Sequence, residues 1–324
     1  MLAPPADLAE GDLRAALARG WGLEAASLMY RPVGFGSHHW ELLTETGDRW
    51  FVTVDDLAAP RATSPDGWWD LASALGAATQ LRAAGHEFVI APDPTRDGAV
   101  FAELDRFAVA LFPYVDGEHF DYGAFASDEH RAGVVDLLVR LHGVDPAVAP
   151  AARIDDFAIP YRAELEQGMI PDTWSDVGPY AASTAAVLAD HADALRAALV
   201  AYDARVADTT RGGFRAVVTH GEPHAGNTMR IGSGWVLIDW DTTLVAPPER
   251  DLWSLDPGDG SAWAAYEAAV GVTLDGTRLD LYRRRWDLAD LAWYTRDFRS
   301  PHDGDANDVQ AWANVQELVA RLAG

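Results

Sequence analysis

Two residue types are absent from the 324-residue chain, and each absence excludes a class of chemistry. Because there is no cysteine, disulfides, thiolate catalysis and cysteine-based zinc sites are excluded. There is also no lysine, so all 25 basic residues are arginines. Every mechanism that needs a lysine amine is therefore excluded.

Long apolar runs are also lacking, and none could span a membrane. The opening MLAPPADLAEGDLRAALARG is acidic and alanine-rich, without the basic start and apolar core of a signal peptide. We therefore expect a cytoplasmic protein.

Positive charge is scarce, since 50 acidic residues against 25 basic ones give a formal net charge of -25. Such a surface repels nucleic acid and anionic lipid and attracts cationic ligands. We expect no nucleic-acid or membrane partner, and a monomer or weak homodimer.

The first 115 residues have the pattern of a small antiparallel sheet with helices. Helices are predicted at 12–20 and at 67–85. Two strands flank the turn TETGD (44–48), and further strands are predicted within 88–115.

After a connector, DGEHFDYG (116–123), the pattern becomes helical. Ser127 is a candidate N-cap for a helix over 127–144, and one long helix is predicted over 180–210. A hairpin turns at 232–234, and helices follow at 261–270, 278–298 and 307–322. The prediction is an α+β fold with two lobes, residues 1–115 and 116–324, and ligands favour the crevice between such lobes.

Polar side chains cluster in VVTHGEPHAGNTM (217–229) and WVLIDWD (235–241). Phosphoryl transfer from a nucleotide needs a carboxylate facing the attacking hydroxyl, oxygen ligands for magnesium, and amides that cover the phosphates. Glu222 could face the hydroxyl, and Asn227 and Asp239 could hold the metal. The turn that could cover the phosphates is Gly34-Phe35-Gly36-Ser37.

The segment HGEPHAGN…VLIDWDTTLVAPPERDL resembles the aminoglycoside phosphotransferase family, whose pattern is H-G-D-x-x-x-x-N, I-D-W-D/E and P-x-x-x-D-L. LLVRLHGV resembles the family's helix before the catalytic loop. APPERDLW, VALFPYVDGE and YRRRWDLADLAWY resemble the spectinomycin phosphotransferase branch in particular. The resemblance implies a protein-kinase-like two-lobed fold, ATP or GTP as co-substrate, Mg²⁺ as cofactor, and a small-molecule hydroxyl as acceptor.

The resemblance also implies roles for individual residues. Glu222 takes the catalytic-base position, and His220 belongs to the same motif. Asn227 and Asp239 take the magnesium positions, and Asp251 braces the loop. The adenine-binding hinge corresponds to Phe112, Pro113, Tyr114 and Val115.

Two residues depart from the family pattern. Glu222 replaces an aspartate and is one methylene longer, and a displacement of about 1 Å can cost on the order of 100-fold in rate. Thr53, in WFVTVDD, stands where the family has a lysine, and Asp70 is the one acidic candidate for that lysine's helix partner. The nearby cations that could replace the lysine are Arg31, Arg49, Arg61, His38 and His39.

The helix predicted at 278–298 places Asp287, Asp290 and Tyr294 along one side. This side would suit a cationic aminoglycoside or aminocyclitol, as in antibiotic resistance, or it could be a solvated face partly paired with Arg283–Arg285. Two other functions stay open. One is a pseudokinase or ligand-binding protein, and the other is a metal hydrolase using His220, Glu222, His224 and Asp239.

Overall fold

The computed structural model describes residues 3–34, 36–57 and 67–324. The helices are α1 (Glu10–Trp21), α2 (Gly67–Ala83), α3 (Asp128–His142), α4 (Arg162–Gly168), α5 (Ala181–Asp190), α6 (Ala192–Gly212), α7 (Glu249–Leu252), α8 (Ser261–Val270), α9 (Gly276–Phe298) and α10 (Ala306–Ala323). The strands are β1 (Ala25–Arg31), β2 (His38–Thr44), β3 (Arg49–Asp56), β4 (Ala102–Leu104), β5 (Phe107–Pro113), β6 (Glu118–His119), β7 (Arg153–Ile154), β8 (Val217–Thr219), β9 (Thr228–Ile231), β10 (Gly234–Leu237) and β11 (Leu244–Ala246).

A five-stranded antiparallel sheet with the order β1-β2-β3-β5-β4 forms the first part of the chain. Because successive side chains of a strand point to opposite faces, Val52 and Val54 of β3 enter the core that includes Leu13 of α1. Thr53 and Asp55 must then share the other face of the sheet. The predicted hairpin at TETGD is confirmed as β2–β3.

Further strands were predicted within 88–115, with Pro94–Gly98 as a turn, and β4 and β5 confirm the later part of this prediction. The expectation of a strand before that turn is wrong, since residues 88–93 hold a single isolated bridge, between Val89 and Leu237. Pro92 and Pro94 lack the amide hydrogen that a strand ladder needs. The segment instead pairs with the end of β10. Ile90 N donates to Leu237 O at 3.1 Å, and Leu237 N donates to Phe88 O at 2.8 Å.

Two small sheets hold the segment that carries the polar cluster. β9 and β10 form the predicted hairpin, and β6, which lies inside the predicted connector, adds a third strand beside β9. The other sheet has the order β7-β11-β8. The β8–β9 loop (residues 220–227) therefore leaves one sheet and enters the other.

The chain divides into two compact units. Of the described residues, the first contains 3–34, 36–57, 67–155 and 215–273, and the second contains 156–214 and 274–324. The units group residues by contact rather than by role, so the lobe boundary at residue 115 stays a prediction. Among the described residues, no helix combines the length and apolar character needed to cross a membrane.

The second unit contains α4, α5, α6, α9 and α10. The prediction of one long helix over 180–210 is wrong, because α5 ends before His191 and α6 begins after it. The ring Nδ1 of His191 lies 2.9 Å from Val187 O, in the last turn of α5. A side chain that bonds the preceding turn in this way competes with the backbone ladder. The other long helices agree closely with the prediction.

Candidate active site

Asp251, on the short helix α7, anchors the start of the β8–β9 loop. Its carboxylate accepts from His220 N at 2.8 Å, from Gly221 N at 2.6 Å and from His142 Nε2 at 3.0 Å. Burial alone would raise the pKa of Asp251, but the hydrogen bond from His142 and the nearby guanidinium of Arg250 hold it below its usual range. Asp251 therefore ties the backbone of residues 220 and 221 to the end of α3.

His220 is buried, and both of its ring nitrogens are used inside the protein. Nδ1 accepts from Glu222 N at 3.2 Å, and Nε2 lies 2.9 Å from Ile238 O. Burial lowers the pKa of His220 to about 4, so the ring is neutral at pH 7. His220 therefore shapes the backbone around Glu222, and its nitrogens are not available to a metal ion.

Glu222 projects from the middle of the loop with its side chain 32% exposed. Its Oε2 lies 3.8 Å from Nε2 of His224. Burial lowers the pKa of His224 to about 4. Because a neutral imidazole gives little charge stabilisation, the carboxylate of Glu222 keeps its capacity to accept a proton from an incoming hydroxyl.

Asn227 closes the same loop and lies one residue before β9. Its Nδ2 donates to Glu222 O at 3.0 Å, which fixes the amide and leaves its Oδ1 as the oxygen that can bind a ligand. Asp239 follows β10 in a left-handed backbone conformation, with φ of 64°. Non-glycine residues in this conformation are uncommon and often mark functional sites.

Three carboxyl groups, Asp55, Asp239 and Asp241, lie close enough to repel one another. Asp239 is an exposed residue, but the protein atoms around its carboxyl raise the pKa to about 6. Burial and the charge of Asp239 raise the pKa of Asp55 to about 6. Burial and the charges of Asp239, Glu222 and Asp55 raise the pKa of Asp241 well above its usual value. A divalent cation would relieve this repulsion, and carboxylate oxygens together with the amide oxygen of Asn227 are the ligand type that magnesium prefers. Among the described residues, no three acidic or histidine side chains converge on one metal position.

The glycine turn before β2 is tied to this acidic group. Gly34 and Gly36 have φ of 70° and 102°, conformations that favour glycine, while Phe35 lies outside the described residues. The hydroxyl of Ser37 donates to Asp55 Oδ1 at 2.5 Å. While this bond is made, the Ser37 hydroxyl cannot donate to a phosphate.

Thr53 lies where the resemblance places a lysine, and its hydroxyl contacts a histidine. Its Oγ1 lies 3.3 Å from Nδ1 of His39, and burial lowers the pKa of His39 to about 3. Nδ1 of His38 lies 3.2 Å from the hydroxyl of Tyr30. His39 is therefore not a ready substitute for the lysine charge, and His38 is engaged by Tyr30.

The other proposed replacements for the lysine are either paired with carboxylates or outside the described residues. Arg31 and Arg49 both pair with Glu41, and Arg49 also bonds Asp116 at 2.8 Å. Arg61 lies outside the described residues. On α2, Asp70 forms an ion pair with Arg153.

The predicted hinge lies at the end of β5. Phe112 pairs with Phe51, and Pro113 pairs with Trp50. The guanidinium of Arg49 lies 3.6 Å from the ring centroid of Tyr114, which is cation–π geometry. Val115 follows directly, so Phe112 and Pro113 end the strand and Tyr114 and Val115 continue the chain beyond it.

The predicted acceptor residues lie in the second unit, on α9. Asp287 bonds Arg321 of α10 at 2.8 Å, and the hydroxyl of Tyr294 accepts from Asn314 Nδ2 at 2.7 Å. Burial, with the charge of Asp287, raises the pKa of Asp290 to about 7. Two of the three side chains thus contact α10, and their role toward an acceptor stays a prediction.

The hydrolase alternative requires His220, Glu222, His224 and Asp239 to share a metal. Within the three described ranges, no group of three or more histidine and acidic side chains is placed to hold one. Both ring nitrogens of His220 are also occupied, as described above. The arrangement needed for a histidine-rich hydrolase site is therefore not formed by these residues.

Sequence reasoning did not assign a role to Asp55 or Asp241. Asp241 lies inside the IDWD motif, so the motif could have identified it. Asp55 lies two residues after Thr53, and strand alternation would have placed it on the same face of the sheet. Its bond to Ser37 depends on tertiary structure and has no local signal.

The architecture is that of the protein-kinase-like phosphotransferases of solved structure. A spectinomycin phosphotransferase, solved with ADP and spectinomycin, has a TM-score of 0.69 and 17% identity and covers 98% of both chains. An amicoumacin kinase has a TM-score of 0.58 and 11% identity, covering 98% of this chain and 93% of its own. At these identities the likeness shows the fold alone.

Sequence comparison then gives the family. The profile described as Phosphotransferase enzyme family matches residues 30–294. Protein StrN of Streptomyces griseus is 32% identical over 259 residues, which cover 75% of each chain. This chain belongs to that family of small-molecule phosphotransferases.

Proposed function

We propose that the protein transfers the γ-phosphoryl group of ATP or GTP to a hydroxyl of a small, amino-bearing molecule. The observation that carries this proposal is the loop that Asp251 holds, on which Glu222 and Asn227 are joined by a hydrogen bond of 3.0 Å. Family membership supports the reaction class, and the structures solved with nucleotide support a nucleotide co-substrate.

In the proposed reaction, Glu222 orients the acceptor hydroxyl and takes its proton as the phosphoryl group is transferred. Bound magnesium would supply positive charge that stabilises the phosphate oxygens. Asn227 and Asp239 would hold it, with Asp55 and Asp241 adding negative charge nearby. The backbone amides of Gly34, Gly36 and Ser37 would cover the phosphates.

The acceptor is proposed to be cationic because the protein carries a net charge of -25. Aminoglycosides and aminocyclitols have this character. The proposal does not depend on Asp287 and Tyr294, since both contact α10.

A second candidate is a protein that binds nucleotide or another ligand without turnover. Thr53 and the uncharged His39 favour it, because the lysine-type cation is missing from β3. The two candidates differ in one measurable property, which is phosphate transfer.

The test is phosphate transfer from ATP and GTP to a panel of hydroxylated amines, including spectinomycin and choline. Glu222→Gln removes the proton acceptor, and we expect kcat to fall by about 100-fold or more. Nucleotide affinity should change little, because Glu222 faces the acceptor. Glu45→Gln, at an exposed glutamate of the β2–β3 turn, is the matched control.

Two results would contradict this account. A Glu222→Gln variant with wild-type kcat would exclude Glu222 as the base. A wild type that binds nucleotide but transfers phosphate to no acceptor and not to water would favour the second candidate.

A further inference from the structure

Thr228, the residue directly after Asn227, belongs to a chain of hydrogen bonds that begins on α3. Nε2 of His130 lies 2.6 Å from Thr228 Oγ1, and that hydroxyl donates to Ala225 O at 2.6 Å. Ala225 begins the single helical turn that ends at Asn227. The chain therefore joins α3 to both ends of the turn that presents Asn227.

The direction of each bond is fixed by the tautomer of His130. The backbone N–H of Ala126 donates to Nδ1 of His130 at 3.3 Å, so Nδ1 carries no hydrogen. The hydrogen is then on Nε2, which donates to Thr228. The Thr228 hydroxyl can donate onward to Ala225 O. Burial lowers the pKa of His130, which favours the neutral ring that this order requires.

Aromatic side chains hold the His130 ring in one orientation. The indole of Trp235 stacks on it with centroids 4.4 Å apart and an interplanar angle of 2°. The ring centroids of Phe120 and Phe125 lie 4.1 and 5.0 Å from the centroid of the His130 ring. Gly133, one turn further along α3, makes room for this stack, because a Cβ there would lie 2.3 Å from Cδ1 of Trp235. The donor on Nε2 is therefore aimed at Thr228 before any ligand binds.

Asn227 is held on its other sides by independent bonds. Its side-chain Nδ2 donates to Glu222 O, and its backbone O accepts from Ile238 N at 3.0 Å. Two backbone bonds close the turn itself, from Asn227 N to His224 O at 3.0 Å and from Thr228 N to Ala225 O. The Thr228 hydroxyl is a second donor to the Ala225 carbonyl, and it is the group that ties the turn to His130 of α3. Loss of the hydroxyl would release this tie and leave the turn held by its backbone bonds alone.

We propose that His130 and Thr228 are positioning residues that hold Asn227 for magnesium binding. The inference rests on the proposed function, since it assigns the purpose of a metal ligand of that site. Neither residue is proposed to touch the substrate or the phosphates. Groups that orient metal ligands in this way typically change metal affinity by about 10- to 100-fold when removed.

The experiment measures the magnesium concentration that half-saturates ATP binding. Thr228→Val keeps the shape and removes the hydroxyl, and we expect the half-saturating magnesium concentration to rise by about tenfold or more. ATP affinity without magnesium should be unchanged. Thr228→Ser retains the hydroxyl and should restore wild-type behaviour. Thr184→Val is the matched control, because Thr184 is a buried threonine of the second unit whose hydroxyl donates to Tyr180 O at 2.8 Å.

A double-mutant cycle separates positioning from general loss of packing. His130→Phe retains an aromatic ring for the stack and removes the donor. If the two residues act through one chain, the double variant with Thr228→Val should shift magnesium dependence no more than either single variant.

Three outcomes would overturn the inference. A folded Thr228→Val protein with wild-type magnesium dependence would overturn this inference and leave the proposed function standing. Additive shifts in the double variant would show that the residues do not act through one chain. A wild type whose ATP binding does not depend on magnesium would overturn the proposed function and this inference together.

Discussion

Asp251 satisfies more buried donors of the β8–β9 loop than any other side chain described above. It accepts two consecutive backbone N–H groups and the ring of His142, and no part of it is exposed to solvent. The ring of His142 is held in turn by the hydroxyl of Tyr266, 2.8 Å from its Nδ1. The geometry of Glu222 therefore depends on a carboxylate that never meets the substrate.

Replacing Asp251 should destabilise the whole fold. Asp251→Ala leaves three buried donors without an acceptor, and each costs about 1–3 kcal/mol. We expect the free energy of unfolding to fall by at least about 3 kcal/mol, measured by urea denaturation. Asp251→Asn, which keeps an oxygen, should lose less. Asp193→Ala, at a fully exposed position, should unfold as the wild type does. An Asp251→Ala midpoint equal to the wild type would contradict the bracing role.

The residues of the site differ in how well sequence alone predicts them. Glu222, Asn227, Asp239 and Asp251 belong to short motifs in which spacing along the chain fixes their neighbours. Asp55 and the His130–Thr228 pair come from elements far apart in sequence. Their contacts depend on strand register and on the fit of Trp235 against α3, and no local pattern encodes either.

At the scale of elements, α9 carries a half-buried acid, Asp290, among its many buried apolar residues. Asp290 lies beside Asp287, and burial with that neighbouring charge raises its pKa to about 7. The positive charge of Arg321 on α10 acts in the opposite direction but does not offset the burial.

The contribution of Asp290 to stability should therefore fall as pH rises. Between the unfolded pKa of 3.8 and the folded value of about 7, Asp290 binds a proton in the folded chain but not in the unfolded one. The contribution of Asp290 to the free energy of unfolding is fully present below pH 3.8 and is lost by about pH 7. It amounts to on the order of a few kcal/mol. Asp290→Asn should remove this component.

The measurement is urea unfolding of wild type and Asp290→Asn at pH 5 and pH 8. Relative to the wild type, the free energy of unfolding of the variant should be higher at pH 8 than at pH 5. The variant should lose the fall in stability between these pH values that Asp290 causes. Asp208→Asn, on the exposed side of α6, controls for a general charge effect. Equal pH dependence of Asp290→Asn and wild type would contradict the raised pKa.

Helical elements were predicted more accurately than the small strands. α8, α9 and α10 each have apolar residues at helical spacing over several turns, which is a strong local signal. β6 and β7 have two residues each, and pairing with distant segments forms them. The break between α5 and α6 depends on one side-chain contact of His191. The apolar pattern continues through it, so the pattern alone predicts one helix.

At the scale of the whole molecule, the fold and family were predictable from a few short motifs. These motifs lie directly before and directly after the β9–β10 hairpin, so their order and spacing can be recognised in the sequence. The matched profile extends over residues 30–294, well beyond those motifs. The acceptor was not predictable in the same way. Acceptor recognition depends on side chains from several helices, and Asp287 and Tyr294 show that one helix face can pack against a neighbour instead.

The central claim is that a nucleotide site operates without a lysine on β3. It is tested most directly by calorimetric titration of the protein with ATP, and separately with GTP, in the presence and absence of magnesium. We predict magnesium-dependent binding with a Kd of about micromolar order, or about -8 kcal/mol. Asp239→Ala should weaken it, and Asp193→Ala should not. No detectable binding of either nucleotide at about millimolar concentration, weaker than roughly -4 kcal/mol, would contradict the account.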